Sequence, residues 1–564
     1  IMSRNANSHF ATLPHANIQR SKFKRPSRLL TAFNSGKLVP IYLEKMVLPG
    51  DTHSLRTTIS IRMSTPIHPV MDDAYLDIYY FFVPNRLIWE NFEEFMGENK
   101  GSYWTNNQPT FLEPHLTFTQ DNQPLPALAQ DSLYDYFANP LLNNLVSNSN
   151  INSDAASCSA LPFRAYAKIW NDWFRSEITD VPCVLHTDSQ DRLLTYTSDN
   201  GYVETAELGG QLCPVSKFHD YFTSALPEPQ RGPDVLMPMA GQAPVISGER
   251  HDVTGSTVPT VYDLTNGENI VSPGNLELNA KGRLFRVPTS ASTTGTQVMF
   301  DSLYADLSLA TAASINQLRE ALALQTFFEA NARYGTRYTE LLRGHFGVTS
   351  PDARLQRPEY IGGKRIRLNM NQVLQTSSTD AASPQGNTAA YSWTVDSSDS
   401  FTYSAVEHGM IIGLACVRTN QTYQFGFERS MKTRHLTDYY FPEFAHIGEQ
   451  PIFNYELYAQ GTDEDMEVFG YQEAWGDHRY KPSRITGVMR SNAQQSLDVW
   501  HYGEDLTSLP TLSSEFMHQS PDVIDRTLAV QSASQPQFLF NADFDMTSVR
   551  PMPMYSIPGL ASHF

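Results

Sequence analysis

The sequence predicts a mainly β protein that is built on antiparallel strands and interrupted by a large insertion. Strand-like segments fill the first and last thirds of the 564-residue chain, whereas helical patterns and long loops fill the middle. The 35 prolines and 31 glycines are scattered along the chain, which favours many short elements and turns over a helical bundle. The first and last thirds must therefore pair with each other to close a sheet of high contact order.

Charge divides the chain into a basic beginning and an acidic remainder. Residues 1–43 contain seven Lys or Arg and no Asp or Glu, while the whole chain carries a net charge of −19. We interpret residues 1–37 as an extended basic arm on an acidic body. Such an arm either keeps the protein in solution or contacts nucleic acid. The negative total itself argues against a general nucleic-acid-binding protein.

Three strands are predicted after the arm, at Leu38–Val47, Ser54–Met63 and Tyr75–Val83. In the second strand apolar residues alternate with polar ones, so that Arg56 and Arg62 fall on the polar face. The third strand is rich in aromatic residues and almost continuously apolar, as expected for a strand that is buried on both faces.

Residues 86–176 read as a first insertion that is partly helical. An apolar stripe predicts a helix over Arg86–Met96, and a stronger aromatic stripe predicts another over Phe163–Arg175. The second stripe ends in Trp173 and Phe174. Such a stripe is typical of a helix that packs on a core, and the alternative is a platform on which a ligand stacks.

The middle of the chain contains two further predicted insertions. Of the 58 residues at 240–297, 28 are Gly, Ser, Thr, Pro or Asn, which is too long a turn-rich segment for a simple connector. We expect an exposed insertion with short strands at Asn269–Val271 and Leu284–Val287, and exposed insertions often carry recognition. Residues 312–344 show the longest helical pattern, with Gly335 as a candidate break.

Signals for targeting and cysteine chemistry are weak. No apolar run approaches 18 residues, and the first residues lack the apolar stretch of a secretory signal, so neither a membrane span nor a secretory signal is expected. The four cysteines include no CxxC pair, which predicts buried free thiols in a reducing compartment.

Motifs for catalysis are absent from the sequence, so we expect no enzymatic activity, no metal and no cofactor. The chain has no HExxH, GxSxG, P-loop, GxGxxG or EF-hand pattern. Acidic residues cluster at Asp463–Glu467 and at Asp543 and Asp545. These clusters either bind a divalent cation or are solvated charges.

Basic residues also cluster beside aromatic residues in the second half of the chain. The first cluster comprises Arg354, Arg357, Lys364, Arg365 and Arg367, and the second comprises Arg429, Lys432, Arg434 and His435 ahead of Tyr439–Phe441. Arginines beside rings hold single-stranded nucleic acid in some proteins and meet acidic neighbours at subunit interfaces in others. The sequence leaves both interpretations open.

Several segments, in order, resemble the major capsid proteins of gokushoviruses, a group within the Microviridae. These segments are Asp72–Glu98, Pro162–Arg175, Ile315–Gly363, His446–Pro451, Val468–Ser483 and Arg550–Leu560. The resemblance implies an eight-stranded antiparallel jelly roll of the viral capsid type over residues 38–564, with large helix- and loop-containing insertions. Residues 240–297 match no family motif, so their assignment depends on position and composition.

The resemblance also implies how such a chain works. Copies of the chain would assemble a T=1 icosahedral shell around circular single-stranded DNA in the cytoplasm of a bacterial host, and the chain would reside in the virion. Residues 240–297 would form a surface protrusion near the threefold axes that serves host attachment. The implied partners are a minor capsid or pilot protein, a small DNA-binding protein, a scaffolding protein and a host-cell surface receptor.

Within the arm, basic side chains are expected to neutralise DNA phosphates, and an aromatic ring is expected to stack on a base. The predicted nucleic-acid-binding residues are Arg20, Lys22, Phe23, Lys24, Arg25 and Arg28. The alternative function class is a β-rich carbohydrate-active enzyme or lectin. An enzyme of that kind would depend on one sensitive carboxylate, which a capsid protein would not need.

Overall fold

The computed structural model covers most of the chain at the level of individual side chains. It describes residues 19–98, 111–117, 130–141, 157–195, 201–233, 235, 356–377, 385–386 and 388–555, together with short elements between 245 and 346. The chain divides into two compact units, of which the first comprises Ile1–Pro229 and Gly335–Phe564 and the second comprises Gln230–Tyr334.

Eight long strands dominate the first unit. They are β1 (Ser21–Phe33), β2 (Val39–Val47), β3 (Thr52–Met63), β4 (Ala74–Pro84), β5 (Glu359–Arg367), β6 (Thr394–Ser404), β7 (Gly409–Thr419) and β8 (Phe538–Arg550). They form two four-stranded antiparallel sheets, the first in the order β1-β8-β3-β6 and the second in the order β5-β4-β7-β2. This pair of strand orders is that of an eight-stranded jelly roll.

The sandwich closes through the two ends of the chain. β1 pairs with β8 in continuous register from Ser21 opposite Arg550 to Phe33 opposite Phe538. The predicted pairing of the first and last thirds is therefore confirmed. The predicted strands after the arm are also confirmed, since β2, β3 and β4 begin and end within two residues of the predicted bounds.

Aromatic side chains from both sheets fill the core of the sandwich. Ring centroids of Tyr80 and Phe401 lie 5.2 Å apart, and those of Phe82 and Tyr403 lie 5.0 Å apart. The Tyr80 hydroxyl also forms a buried 2.8 Å hydrogen bond with Oγ1 of Thr57 in the facing sheet. The buried and nearly continuous aromatic run of β4 therefore faces the first sheet with one set of residues and the covering insertion with the other.

The prediction of a basic arm is wrong for the residues that form β1. Residues 21–33 are not an extended arm, because they form the edge strand of the first sheet. The inward positions of this strand include the half-buried Leu29 and the buried Phe33, which pack against the core, while the charged residues stand mainly at outward positions. Residues 1–18 lie outside the described part of the chain.

The predicted helix over Arg86–Met96 is wrong as a continuous element. The structure has a 3₁₀ turn at Asn85–Leu87 and a short helix at Phe92–Phe95. Between them the amide of Glu90 donates to the carbonyl of Thr187 at 2.9 Å instead of continuing a helical ladder. The second predicted helix is confirmed and runs from Leu161 to Ile169, followed by a π-helical turn at Trp170–Phe174.

Smaller elements complete the described part of the first unit. The short strands are His115–Thr117, Cys158–Ser159, Arg192–Leu193, Met370–Leu374, Thr388–Ser392, Glu449–Phe453 and Val468–Glu473. The remaining short α-helices are Leu133–Tyr136, Gly201–Thr205, Asn454–Leu457, Gly476–Arg479, Ser514–Met517 and Asp522–Asp525. The 3₁₀ turns that follow Asn85–Leu87 are Ala206–Leu208, Arg429–Lys432, Leu436–Asp438, Pro442–Phe444, Asp463–Met466, Gly487–Met489 and Asp498–Trp500.

The second unit contains a small antiparallel sheet and one long helix. In sheet order, the five strands are Asn269–Ile270, Val261–Asp263, Thr296–Phe300, Leu284–Arg286 and Leu276–Leu278. A further pair joins Val245–Ser247 to Leu303–Ala305. The helix runs from Ile315 to Tyr334 and so ends just before the predicted break. The exposure predicted for residues 240–297 lies outside the described side chains.

The four cysteines are free thiols, and three of them are buried. Burial raises the pKa of Cys416 to about 12, so this thiol stays protonated. None of the helices in the described part of the chain combines the length and the apolar character needed to cross a membrane.

Candidate nucleic-acid interface

The first sheet has an outer face that points away from the second sheet. Side chains alternate along a strand, so Lys22, Lys24 and Arg28 of β1 fall on this outer face, and all three are exposed. β1 is also the edge strand of its sheet. Three of the six predicted nucleic-acid-binding residues therefore form one exposed basic row.

The other three predicted residues do not join this row. Arg20 is exposed just before β1. Phe23 is half-buried and shares the opposite face of the strand with Arg25. The Nη1 atom of Arg25 donates to Oε2 of the buried Glu44 at 2.6 Å, and Arg550 donates to the other carboxylate oxygen at 3.0 Å. The charge of Arg25 is thus compensated within the subunit, while its side chain is 46% exposed and its contact with DNA stays a prediction.

The outer face of the first sheet carries more positive than negative charge. Its cations are Lys22, Lys24, Arg28, Arg56 and Arg62, and its carboxylates are Asp399, Asp543 and Asp545. Lys22, Lys24 and Arg62 stand opposite the uncharged residues Val549, Thr547 and Leu539. Arg28 lies 3.5 Å from Asp543 and is partly neutralised. The site prediction omitted Arg56 and Arg62, although alternation along β3 had placed them on a polar face.

An aromatic groove adjoins the basic row on the same face. It has a volume of about 850 Å³, and its lining includes Leu30, Arg62, Tyr391 and Trp393. Trp393 is 58% exposed, and its indole N–H donates to Oγ of Ser60 at 2.9 Å, which fixes the ring against the sheet. The site prediction did not include Tyr391 and Trp393. The sequence signal that could have found them was the presence of two aromatic residues within a segment rich in Ser, Thr and Asp.

The first basic cluster of the second half is largely neutralised within the subunit. Nζ of Lys364 lies 2.6 Å from a carboxylate oxygen of Asp396, and Arg365 pairs with Asp77 over the same distance. Arg367 pairs with Asp73. The cation of Arg357 lies over the ring of Trp173, and Arg354 falls outside the described residues.

The second basic cluster is more open. Arg429 lies 3.6 Å from the buried Glu456, whereas Lys432 and Arg434 are exposed. Tyr439 and Tyr440 are exposed beside them. Both interpretations of this cluster, nucleic-acid contact and subunit interface, therefore stay predictions.

One acidic cluster has a structural role. The carboxylate of Asp465 accepts hydrogen bonds from the amides of Gln460 and Gly461 at 2.9 and 2.8 Å, which holds a turn together. Asp543 of the other cluster lies beside Arg28 on the outer face. Within the described ranges, no group of three or more His, Cys, Asp or Glu side chains is placed to hold a metal ion.

Comparisons with known proteins agree with this architecture. A family model described as capsid protein (F protein) matches residues 11–560. Capsid protein VP1 of Bdellovibrio phage phiMH2K is 39% identical, with 100% of this chain and 99% of the relative covered. Capsid protein VP1 of Spiroplasma virus 4 is 38% identical, with 99% and 98% covered. Capsid protein VP1 of Chlamydia phage 1 is 37% identical, with 98% of each chain covered.

These matches span nearly the whole chain, including both ends of the jelly roll and the insertion between them. They confirm the family resemblance that was inferred from several matching segments in the same order along the chain. The chain belongs to the capsid protein (F protein) family of the Microviridae and is a gokushovirus-type major capsid protein.

Proposed function

We propose that copies of this capsid protein assemble a T=1 icosahedral shell around circular single-stranded DNA, and that the outer face of the first sheet contacts that DNA. The observation that carries the proposal is charge. A protein with a net charge of −19 presents, on one sheet face, five cations against three carboxylates. Phosphates are attracted to such a face and repelled by the acidic remainder of the surface.

The basic row and the aromatic groove on this face match the two parts of a nucleotide, its phosphate and its base. Lys22, Lys24 and Arg62 supply charge for phosphates, and each contact releases counterions. Trp393 and Tyr391 supply exposed rings, and stacking on a ring stabilises a bound base by about 1–3 kcal/mol. Ser54, the neighbour of Lys24 across β8, lies six residues from Ser60 at the groove. At about 3.3 Å per residue this is roughly 20 Å, which a strand of several nucleotides spans.

The proposal extends to the other partners that the family resemblance implies. Residues 240–297 would form the surface protrusion near the threefold axes and contact a host-cell receptor. A minor capsid or pilot protein, a small DNA-binding protein and a scaffolding protein would join the shell during its assembly. The proposal requires no catalytic step, because burial of subunit interfaces drives assembly. The family match also favours this function over a carbohydrate-active enzyme or lectin.

The test replaces the three outward cations Lys22, Lys24 and Arg62 with Ala. A matched control replaces Arg479, Lys481 and Arg490, which are exposed outside both basic clusters and change the charge by the same amount. Particles are produced with all viral partners, treated with nuclease and sedimented, and the DNA per particle is measured by absorbance. We expect the first variant to package several-fold less DNA than the control. Equal DNA content in the two variants would refute the proposed interface.

A further inference from the structure

A second cavity lies on the outer face of the second sheet, on the opposite side of the sandwich from the basic row. Its volume is about 450 Å³, and it is lined by β4, β5 and β7, the turn after Leu161–Ile169 and residues 215–219. The lining includes Arg175, Lys217, Arg365 and Arg418 but no Asp or Glu. Lys217 is paired with Glu504 at 3.0 Å, so the positive charge of this wall comes from Arg175, Arg365 and Arg418.

Two of these cations share one buried carboxylate. Nε of Arg365 donates to Oδ1 of Asp77 at 2.6 Å, and Nε of Arg418 donates to Oδ2 at 3.1 Å. The side chain of Asp77 is only 2% exposed. The ring centroid of Phe218 lies 4.3 Å from the Arg365 guanidinium and 4.4 Å from that of Arg418, so the ring helps to fix both cations. One carboxylate balances only one of the two positive charges, and the pair keeps a net charge of +1 beside the cavity.

Arg175 adds a donor that the described part of the subunit does not satisfy. Its Nη1 atom donates to the carbonyl of Asp180 at 3.0 Å, but its buried Nε atom has no hydrogen-bond partner among the described residues. A buried donor without an acceptor costs free energy. Because Arg175 lines the cavity, its guanidinium keeps unused donor capacity beside it.

The opposite wall of the cavity is aromatic and partly open. Trp173 is 38% exposed and Tyr360 is 44% exposed, with their ring centroids 6.2 Å apart. The buried Phe81 supports both rings at 5.5 and 5.6 Å. The indole N–H of Trp173 donates to the carbonyl of Pro358 at 2.9 Å, which holds the ring in place. A flat aromatic group entering this cavity would meet preformed surfaces.

We propose that this cavity binds a nucleotide. Its phosphate contacts Arg175, Arg365 and Arg418, and its base packs on Trp173 and Tyr360. A simple anion would leave the exposed rings unused, and a neutral aromatic ligand would leave the cations unused. The volume falls within the range of small-molecule sites, which is about 300–1,000 Å³. The nucleotide comes either from a DNA strand that reaches this side of the subunit or from the free pool, and neither source requires that the outer face of the first sheet contact DNA.

The test measures binding to the purified full-length protein by calorimetry. The probes are dAMP, a twelve-residue deoxyadenosine oligonucleotide and inorganic phosphate. Two variants alter the cavity, Tyr360→Ala on the aromatic wall and Arg365→Gln on the cationic wall. Tyr480→Ala and Arg479→Gln are matched controls, because Tyr480 and Arg479 are exposed to nearly the same degree as Tyr360 and Arg365, and Arg479 also pairs with a carboxylate, that of Glu473.

We expect each cavity variant to bind dAMP at least tenfold more weakly than the protein without substitutions, while the controls bind it normally. If the cavity variants also bind the oligonucleotide more weakly, the source of the nucleotide is a DNA strand. If their affinity for the oligonucleotide is unchanged, the source is free nucleotide. The proposal is overturned if dAMP does not bind, if neither cavity variant weakens it, or if phosphate alone binds as tightly. Oligonucleotide binding that depends only on Lys22, Lys24 and Arg62 would overturn this site and leave the proposed DNA interface standing.

Discussion

At the scale of single residues, two ion pairs of equal length differ in their surroundings. Asp77 and Asp396 each lie 2.6 Å from a cation, Arg365 in one case and Lys364 in the other. Asp77 is buried and serves two guanidinium groups, whereas the pair formed by Asp396 and Lys364 is open to solvent. Distance alone therefore does not decide how much a pair stabilises the fold, because water reaches the carboxylate of Asp396 but hardly reaches that of Asp77.

This difference predicts unequal effects of the same substitution. Asp77→Asn leaves two adjacent guanidinium groups without a counter-charge, and we expect it to lower the free energy of unfolding by about 3–5 kcal/mol. Asp396→Asn, the matched control, should cost less than about 1 kcal/mol. Urea unfolding of the purified subunit measures both values. Equal losses would show that burial does not set the strength of the Asp77 cluster.

The sequence correctly identified the basic residues of β1 but did not predict on which face of the strand each of them lies. Lys22, Lys24 and Arg28 are exposed as an interacting basic segment should be. The inward position of Arg25 depends on the register of β1 with β8 and on Glu44, which lies 19 residues further along the chain. The sequence alone contains no signal for such a register. Trp173 shows the same limit of sequence inference. Its position in a helical aromatic stripe indicated core packing but did not show that the Trp173 ring lines a cavity.

At the scale of elements, local patterns predicted strands better than connections. The strand predicted over Tyr75–Val83 matches β4 closely because its continuous apolar run admits few alternatives. The helix predicted over Arg86–Met96 failed because Glu90 bonds to Thr187, a partner 97 residues away. The pairing of the first and last thirds was predicted, but the part that β1 plays in it was missed in the same way. Its many charges suggested an arm, while its inward residues Leu29 and Phe33 pack against the core.

The short helix Asn454–Leu457 carries a pH-sensitive contribution to stability. Burial is the main cause that raises the pKa of Glu456 from 4.5 to about 7, although nearby Arg429 opposes it. The folded chain therefore retains this proton between about pH 4.5 and 7, whereas the unfolded chain loses it. The stabilising contribution of Glu456 is fully present below pH 4.5 and is lost progressively as the pH rises to 7. The difference in pKa corresponds to about 3 kcal/mol.

Glu456→Gln should remove that dependence, because Gln stays neutral and still accepts the hydrogen bond from the amide of Phe453. We expect the unfolding free energy of the variant to change less between pH 5 and pH 7.5 than that of the protein without the substitution. Glu443→Gln, at an exposed position nearby, is the control and should leave the slope unchanged. Urea titrations at the two pH values provide the measurement. An unaltered slope in Glu456→Gln would contradict the assignment.

At the scale of the whole molecule, fold and charge distribution support one another. The chain is a phage capsid protein and its location is the virion. A closed shell requires each subunit to turn one particular surface toward its contents. With a net charge of −19, most orientations would bring carboxylates toward DNA, whereas the outer face of the first sheet brings a surplus of cations. In the proposed assembly around DNA, charge would therefore favour one orientation of the subunit.

The division into two units gives the last prediction. Residues 240–297 lie entirely within the unit Gln230–Tyr334, and all eight strands of the jelly roll lie outside that range. Replacing residues 240–297 with a short Gly/Ser bridge should leave the jelly roll folded and able to form particles, because its strand pairing and core are retained. We expect particles of normal sedimentation that adsorb at least tenfold more weakly to host cells. Sedimentation and adsorption assays measure the two outcomes separately. Loss of folded subunit would show that the segment belongs to the core, and normal adsorption would remove it from host attachment.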